Sequence, residues 1–242
     1  MIELGGVNSL KARILLDALD EPAAYIPIDI SREHLKASTE DLHDERPDLP
    51  ILAVCADYTQ PFDLPEAPGG GMRLGFFPGS TIGNLRPEQA VDFLETWARK
   101  LGPGAAMVVG VDLRKDASIL EPAYDDDQGV TAEFSKNLLA RANRELGSDF
   151  DTSAYRHVAR YDALRGRVEI HLEVLRDQTV HLDGQTIPLK AGERIHVEDS
   201  CKYSIEGFRG LARTAGFRPA AVWTDPAQLF SVHWLETPPE QR

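Results

Sequence analysis

The sequence predicts an α/β protein: a parallel sheet covered by helices, interrupted by a mixed α+β insertion. Three observations predict it. Residues 1–113 alternate short apolar strands with helical stretches, the signature of βα units. Those strands are near-continuous apolar runs, as expected where both sheet faces are buried. After residue 113 the period switches to the two-residue alternation of antiparallel strands, and the βα pattern returns near residue 201.

The first unit is Met1-Ile2-Glu3-Leu4, an apolar strand running into Gly5-Gly6. A turn without side chains lets a ligand approach the backbone and aims helix N–H groups at it. A helix follows from Ser9 to Leu19, with Ser9 as its N-cap. Val7 stands where the dinucleotide fingerprint has a further glycine. Residues 23–30 form the next strand, and Ser31-Arg32-Glu33 opens a capped helix. Residues 51–57 read as a buried third strand and residues 73–79 as a fourth. Pro87 to Leu101 is an amphipathic helix with proline in its first turn and Gly102 at its end. Residues 105–113 make a fifth strand.

Val130 to Leu146 is then a long helix. Residues 156–161, 167–175 and 179–182 alternate like antiparallel strands, with Asp183-Gly184 as a turn, and residues 194–200 add one more. A helix at 205–215, a strand at 217–223 and an edge strand at 229–235 complete the chain. Two domains are expected: residues 1–113 with 201–242, and the insertion 114–200.

The 242 residues carry 26 basic against 39 acidic side chains, a net charge of −13, which argues against nucleic acid or an anionic membrane as partner. No apolar run reaches the roughly 20 residues of a membrane span, and no signal peptide opens the chain. A cytoplasmic monomer is expected. Cys55 and Cys201 match no metal spacing and are expected to be reduced, buried thiols. Asp125-Asp126-Asp127 lacks the spacing of a calcium loop and reads as an acidic loop or helix N-terminus, so no metal is expected.

Polar residues gather at the predicted strand ends, where open α/β sheets bind ligands. Asp29 can accept hydrogen bonds from both hydroxyls of a ribose, and Asp57-Tyr58 is the arrangement expected beside an adenine ring. Either aspartate can instead cap the next helix or turn. With Gly5-Gly6 they point to a nucleoside ligand. The absence of a phosphate-binding lysine loop leaves an adenosyl cofactor, or NAD with a degenerate loop. After the fourth strand, residues 76–85 place two glycines, two hydroxyls and Asn84 above the cofactor. An amide at Asn84 donates to a carboxylate and accepts from an amine, which suits an amino-acid backbone, although asparagine before a helix is also an ordinary turn residue.

Residues 77–85, Asp112-Leu113-Arg114-Lys115-Asp116, Tyr124-Asp125-Asp126-x-x-Gly129-Val130-Thr131, Asn143-Arg144-Glu145-Leu146 and Glu198-x-Ser200-Cys201-Lys202 carry a resemblance over essentially the whole chain. The sequence resembles the histidine-specific N-alpha-methyltransferase family of ergothioneine biosynthesis. The resemblance implies a class I (Rossmann-like) S-adenosylmethionine (SAM) methyltransferase fold with a substrate-binding insertion. It implies cofactor positions at Gly5, Lys11, Asp29 and Asp57. Asn84 and Tyr124 match residues holding the amino-acid end of the substrate, by positioning rather than as acid or base. Glu198 and Ser200 match residues gripping the imidazole of L-histidine, and Ile170 an apolar residue near the ring. The implied product is N-alpha-trimethylhistidine, with methylation of another small amino acid or amine as the alternative.

Chemistry supports these roles. A carboxylate at Glu198 accepts a ring N–H and is expected to favour the protonated ring. Ser200, two residues along a strand, shares its face. Two departures stand out: Glu3-Leu4-Gly5-Gly6-Val7 replaces the family's Glu-Leu-Gly-Ser-Gly, and the family's N-terminal segment with its contacting tyrosines has no counterpart. A chain opening at Met1 is expected to leave one side of the pocket open, its apolar faces uncovered and its activity weak or lost.

Overall fold

Apolar runs too short for helices and flanked by turn residues become the strands of a sheet buried on both faces. The computed structural model describes residues 1–6 and 9–240; Val7 and the side chain of Ser9, the expected N-cap, lie outside the described residues. The chain divides into two units, Met1–Leu113 with Tyr203–Arg242, and Arg114–Lys202.

In the first unit, β1 (Ile2–Leu4) leads to α1 (Ser9–Asp17), β2 (Ile26–Asp29) to α2 (Arg32–Glu45), and β3 (Val54–Cys55) to β4 (Leu74–Phe77). Helix α3 (Pro87–Leu101) buries Ala90, Phe93, Leu94, Trp97 and Leu101, the three- and four-residue spacing of one helix face. Its start is closed by Gln89 Oε1, which accepts from the Arg86 N–H at 3.0 Å. Strand β5 (Ala106–Asp112) is buried from Ala106 to Val111.

The second unit holds α4 (Ala117–Tyr124) and α5 (Val130–Leu146). It also holds a three-stranded antiparallel sheet of β6 (Tyr155–Asp162), β7 (Arg167–Val174) and β10 (Arg194–Cys201), in the order β10-β7-β6. Along β7 every second residue is buried, so this sheet has one dry face, packed with Leu120 of α4 and Leu139 of α5. Strands β8 (Gln178–Leu182) and β9 (Gln185–Leu189) form a hairpin whose turn residues Asp183 and Gly184 have φ of 49° and 72°, as a two-residue turn of this kind requires.

Helix α6 (Ile205–Thr214), β11 (Arg218–Thr224) and β12 (Phe230–Glu236) complete the first unit. Its sheet runs β11-β12-β5-β4-β1-β2-β3, with β12 antiparallel to both neighbours. The strand order reverses at β1, which pairs with β2 on one side and β4 on the other. Ligands of open α/β sheets bind at the carboxyl ends beside such a point.

Four expectations differ from the structure. Strand β12 is not an edge: it lies between β5 and β11, with Ser231, His233 and Leu235 fully buried. Ser231 Oγ and His233 Nε2 pair at 3.0 Å, while His233 Nδ1 has no partner among the described residues, and this polar alternation imitates the solvated face of an edge strand. Strand β3 is the actual edge on the other side, reduced to two residues and a bridge between Tyr25 and Ile51, rather than a buried strand over 51–57. Cys55 on that edge is exposed, whereas Cys201 is buried. Helix α4 and strand β9 were not expected, since Pro122 and Pro188 argue locally against regular structure.

Candidate active site

Gly5 follows β1 with φ of +79°, and nothing lies within 4 Å of where a Cβ would project. Backbone and space together allow close approach of a ligand there. The N–H groups of Gly5 and Gly6 are both given to Ile28 O, at 2.9 and 3.2 Å, so they brace the turn on β2 rather than point at a ligand. A Cβ on Gly6 would meet Pro27 Cβ at 2.7 Å, which fixes glycine there. Behind the turn, buried Glu3 accepts from the Tyr25 hydroxyl, while its Oε1 has no partner among the described residues. Burial pushes the Glu3 carboxyl up to about 7, against the opposing pull of the Tyr25 bond and of Lys11.

Asp29, at the end of β2, is buried, and its Oδ1 accepts from the Ser31 N–H at 2.7 Å. A carboxylate has two oxygens, so this turn bond does not exhaust it. Asp57 is exposed and accepts from both the N–H and hydroxyl of Thr59, at 2.9 and 2.7 Å, which holds it below the usual carboxylate range. Tyr58 stands edge-on to Phe77 and Phe93, with centroids 5.8 and 6.1 Å away. Its phenol is raised by burial and then by Asp29 and Asp57, which places all three at the same end of the sheet.

Beyond β4, Gly79 and Ser80 take positive φ of 76° and 60° and lead into a 3-10 turn at Thr81–Asn84. The loop is fastened to β5 by the Asp112 N–H, which donates to Ser80 Oγ at 2.8 Å. Gly110 permits the approach: a Cβ there would lie 3.1 Å from Gly79 N and 2.9 Å from Phe230 Cζ. Asn84 ends the turn with its side chain exposed. Lys11 reaches this loop, its Nζ 3.5 Å from the position of a Cβ on Gly79. Next to both is an apolar cleft of about 680 Å³ floored by Phe76, Val108 and Val232.

In the second unit, β10 pairs with β7 as Ile195↔Leu172 and His196↔His171, then Glu198↔Ile170 and Ser200↔Val168. Val197 is therefore one residue in excess, a β-bulge that shifts the phase of the strand. Without it Glu198 would alternate to the face of His196 and His171. With it, Glu198 and Ser200 share the face of the buried Ile170 and Val168. Burial raises the Glu198 carboxyl, opposed by Lys202 and His196.

Tyr124, the last residue of α4, lies on this face, its hydroxyl 2.9 Å from Ser200 Oγ. The end of α4 is tied down by a buried relay. His157 Nε2 donates to the Tyr124 carbonyl at 2.7 Å, and His157 Nδ1 lies 3.1 Å from Ser135 Oγ of α5. A carbonyl only accepts, which fixes the proton on Nε2. The Asp126 carboxylate accepts from the N–H groups of Val130 and Thr131 and is held down at about 2, a helix-terminus role for the acidic run. Among the described residues no group of three or more His, Cys, Asp or Glu is placed to hold a metal.

The structure thus brings Asp29, Asp57 and Tyr58 together in one unit, and Tyr124, Ile170, Glu198 and Ser200 together in the other. Sequence reasoning missed Glu3, Ser135, His157 and Lys202. All four are buried polar residues; polarity inside an otherwise apolar strand was the signal for Glu3 and His157, whereas Ser135 on α5 and Lys202 after β10 carried none.

A seven-stranded sheet with a single antiparallel strand and a glycine turn at its switch point defines the class of SAM-dependent methyltransferases. One from Clostridium acetobutylicum superposes with a TM-score of 0.53 at 10% identity, covering 98% of this chain and 83% of that one. Residues 1–237 match the family described as histidine-specific, SAM-dependent methyltransferases, and the chain belongs to that family. It is 39% identical over 237 residues to histidine N-alpha-methyltransferase of Mycobacterium tuberculosis, covering 96% of this chain and 73% of that protein. Ergothioneine biosynthesis protein 1 of Neurospora crassa is 32% identical over 232 residues, covering 93% of this chain and 26% of that protein.

Proposed function

We propose that this chain transfers methyl groups from SAM to the α-amine of L-histidine, giving N-alpha-trimethylhistidine for ergothioneine biosynthesis, as a cytoplasmic monomer. The observation that carries this reading is the bulge that turns Glu198 onto the face of Ser200, Tyr124 and Ile170. A charged acceptor, a hydroxyl pair and an apolar wall fit a planar ring with nitrogens at its edge.

The residues present fit the cofactor. The open space at Gly5 admits the donor's backbone-hugging end, and the unpartnered Glu3 Oε1 is an acceptor suited to a cationic amine. Asp29 suits ribose hydroxyls, and Tyr58, which packs edge-on to Phe77 and Phe93, suits an adenine edge. Lys11, beside the Gly79 loop, suits a carboxylate. When bound, SAM supplies a methyl group already activated on a sulfonium, so no acid or base is needed to make it electrophilic.

The chain's own part is binding and orientation. Tyr124 takes the amino-acid end of the substrate, and the exposed amide of Asn84, on the first unit, has the donor and acceptor suited to the same groups. Glu198 accepts a ring N–H, and a substrate without that group leaves a partly buried carboxylate unpaired, the source of selectivity. Ile170 closes the ring face to water. Each round requires that the α-amine has given up its proton to solvent, so that a nitrogen lone pair meets the methyl group, and that it stays oriented while it grows. Calorimetry with SAM and then with L-histidine tests the reading: sequential binding of both is expected, and binding of neither would refute it.

A further inference from the structure

Lys202 closes the Glu198-x-Ser200-Cys201-Lys202 run and is almost wholly buried. Its ammonium donates to the Tyr124 hydroxyl at 2.6 Å and to Ser200 Oγ at 3.0 Å, and lies 4.7 Å from the centre of the Tyr124 ring. Tyr124 and Ser200 oxygens are 2.9 Å apart, so three polar atoms form a closed triangle.

The proton count in that triangle has one consequence. An ammonium has donors only, so each hydroxyl oxygen gives one lone pair to Lys202. The contact between the two hydroxyls needs one proton, and the phenol, the stronger acid and the poorer acceptor, supplies it. Ser200 Oγ then accepts twice, from Lys202 and Tyr124, which fills both its lone pairs. Its own O–H must point away from the triangle. Ser200 becomes a donor and nothing else.

We propose that Lys202 is a positioning residue that makes Ser200 an obligate donor and thereby selects the neutral imidazole of the substrate. The inference rests on the histidine reading of this site. A neutral ring presents one N–H, accepted by Glu198, and one bare nitrogen, which takes the Ser200 proton. An imidazolium carries N–H on both nitrogens, and the second would meet the Ser200 proton head-on. Lys202 also balances the Glu198 charge, removing the electrostatic reason to prefer a cationic ring. On this proposal the bound ring is neutral, where the Glu198 carboxylate alone leads to the expectation of a protonated one.

The titratable and charged groups facing Lys202 include Glu198 on β10, which His196 also influences, Tyr124 on α4, and His157 on β6 behind the Tyr124 carbonyl. The Arg114 guanidinium lies 3.4 Å from the Lys202 carbonyl, and β7 contributes the apolar Val168 and Ile170. Glu198 can titrate in its own right, so the test needs a ligand whose ring does not.

Binding of L-histidine and of 3-(pyrrol-2-yl)alanine is measured on the full chain with S-adenosylhomocysteine present, between about pH 5 and about pH 8, the window in which imidazole titrates. The pyrrole keeps one N–H, at the ring position next to the side-chain carbon, has no bare nitrogen and does not titrate. Its 3-yl isomer, with N–H at the far position, is measured beside it. The tighter-binding isomer is the one that keeps the Glu198 contact, so its affinity ratio isolates the Ser200 contact. In the unaltered chain the ratio is expected to favour histidine by at least about tenfold at the alkaline end and to fall toward unity below about pH 6.5. Lys202→Met frees Ser200 to accept and removes the lysine charge that balances Glu198, so its ratio is expected to stay flat or rise toward acid. Lys202→Arg keeps the donors and is expected to retain the parent's profile. A Lys202→Met profile identical to the parent's overturns the inference. If Lys202→Met does not fold, the unaltered chain decides, and a ratio rising toward acid overturns it. No histidine binding at any pH removes the histidine reading itself, an outcome distinct from binding with the wrong pH dependence.

Discussion

Glu198 of β10 faces Ile170 of β7 because Val197 adds one residue to β10 between that pair and the His196–His171 pair. The bulge costs ladder regularity and re-aims one carboxylate, a device that recurs beside active sites. Glu198→Gln keeps the shape and removes the charge. A charge-assisted hydrogen bond contributes about 1.5–3 kcal/mol, so KM for L-histidine is expected to rise about tenfold to a hundredfold with kcat little changed. Steady-state kinetics checks it, and an unchanged KM would remove Glu198 from contact with the ring.

His157 holds the end of α4 through the Tyr124 carbonyl. His157→Leu leaves that carbonyl and the Ser135 hydroxyl without their buried partner, at a cost of about 1–3 kcal/mol. Thermal melting is expected to show the loss, together with a raised KM as Tyr124 loses its anchor. A melting temperature equal to the parent's would show that the relay is not structural.

Gly110 is where the Gly79-Ser80 loop rests on β5. Gly110→Ala would push on Gly79 N and the Phe230 ring, and overpacking of this kind costs about 1–3 kcal/mol. Reduced stability with weaker SAM binding is expected by calorimetry. A variant that binds SAM as tightly as the parent would show that the loop can move away freely.

Two buried groups give stability opposite slopes with pH. Burial raises Glu3 from 4.5 to about 7 in the folded chain, so its contribution is fully present below about 4.5 and is lost as pH rises through about 7. Burial, with Arg209, lowers His233 from 6.5 to about 4, so its contribution is present above about 6.5 and is lost as pH falls through about 4. Denaturant titrations are expected to show Glu3→Gln gaining stability relative to the parent on the alkaline side, and His233→Leu gaining it on the acid side. Parallel pH profiles for parent and variants would contradict both assignments.

The βα units were legible because their signals are local: apolar runs, Pro87 before a helix, Gly102 after it. Asp29 and Asp57 were legible as strand-end residues, though each also closes a turn, which spacing alone left open. The bulge at Val197 was not legible, because one added residue leaves composition and hydropathy unchanged and acts only through register with β7. Lys202 was hidden for another reason. A lysine is usually solvated, and only the coming together of α4 and β10 shows that this one is enclosed by Tyr124 and Ser200. The burial of β12 was disguised in the same way by the Ser231–His233 pair.

We propose that the face carrying Glu198, Ser200 and Tyr124 commits this chain to the α-amine of L-histidine. Incubation with SAM and L-histidine, followed by mass spectrometry and fragmentation of the product, tests it most directly. Methyl groups are expected to accumulate on the α-nitrogen until it is trimethylated, with the ring nitrogens unmodified. Methylation of a ring nitrogen, or the same turnover with amino acids that lack an imidazole, would contradict it.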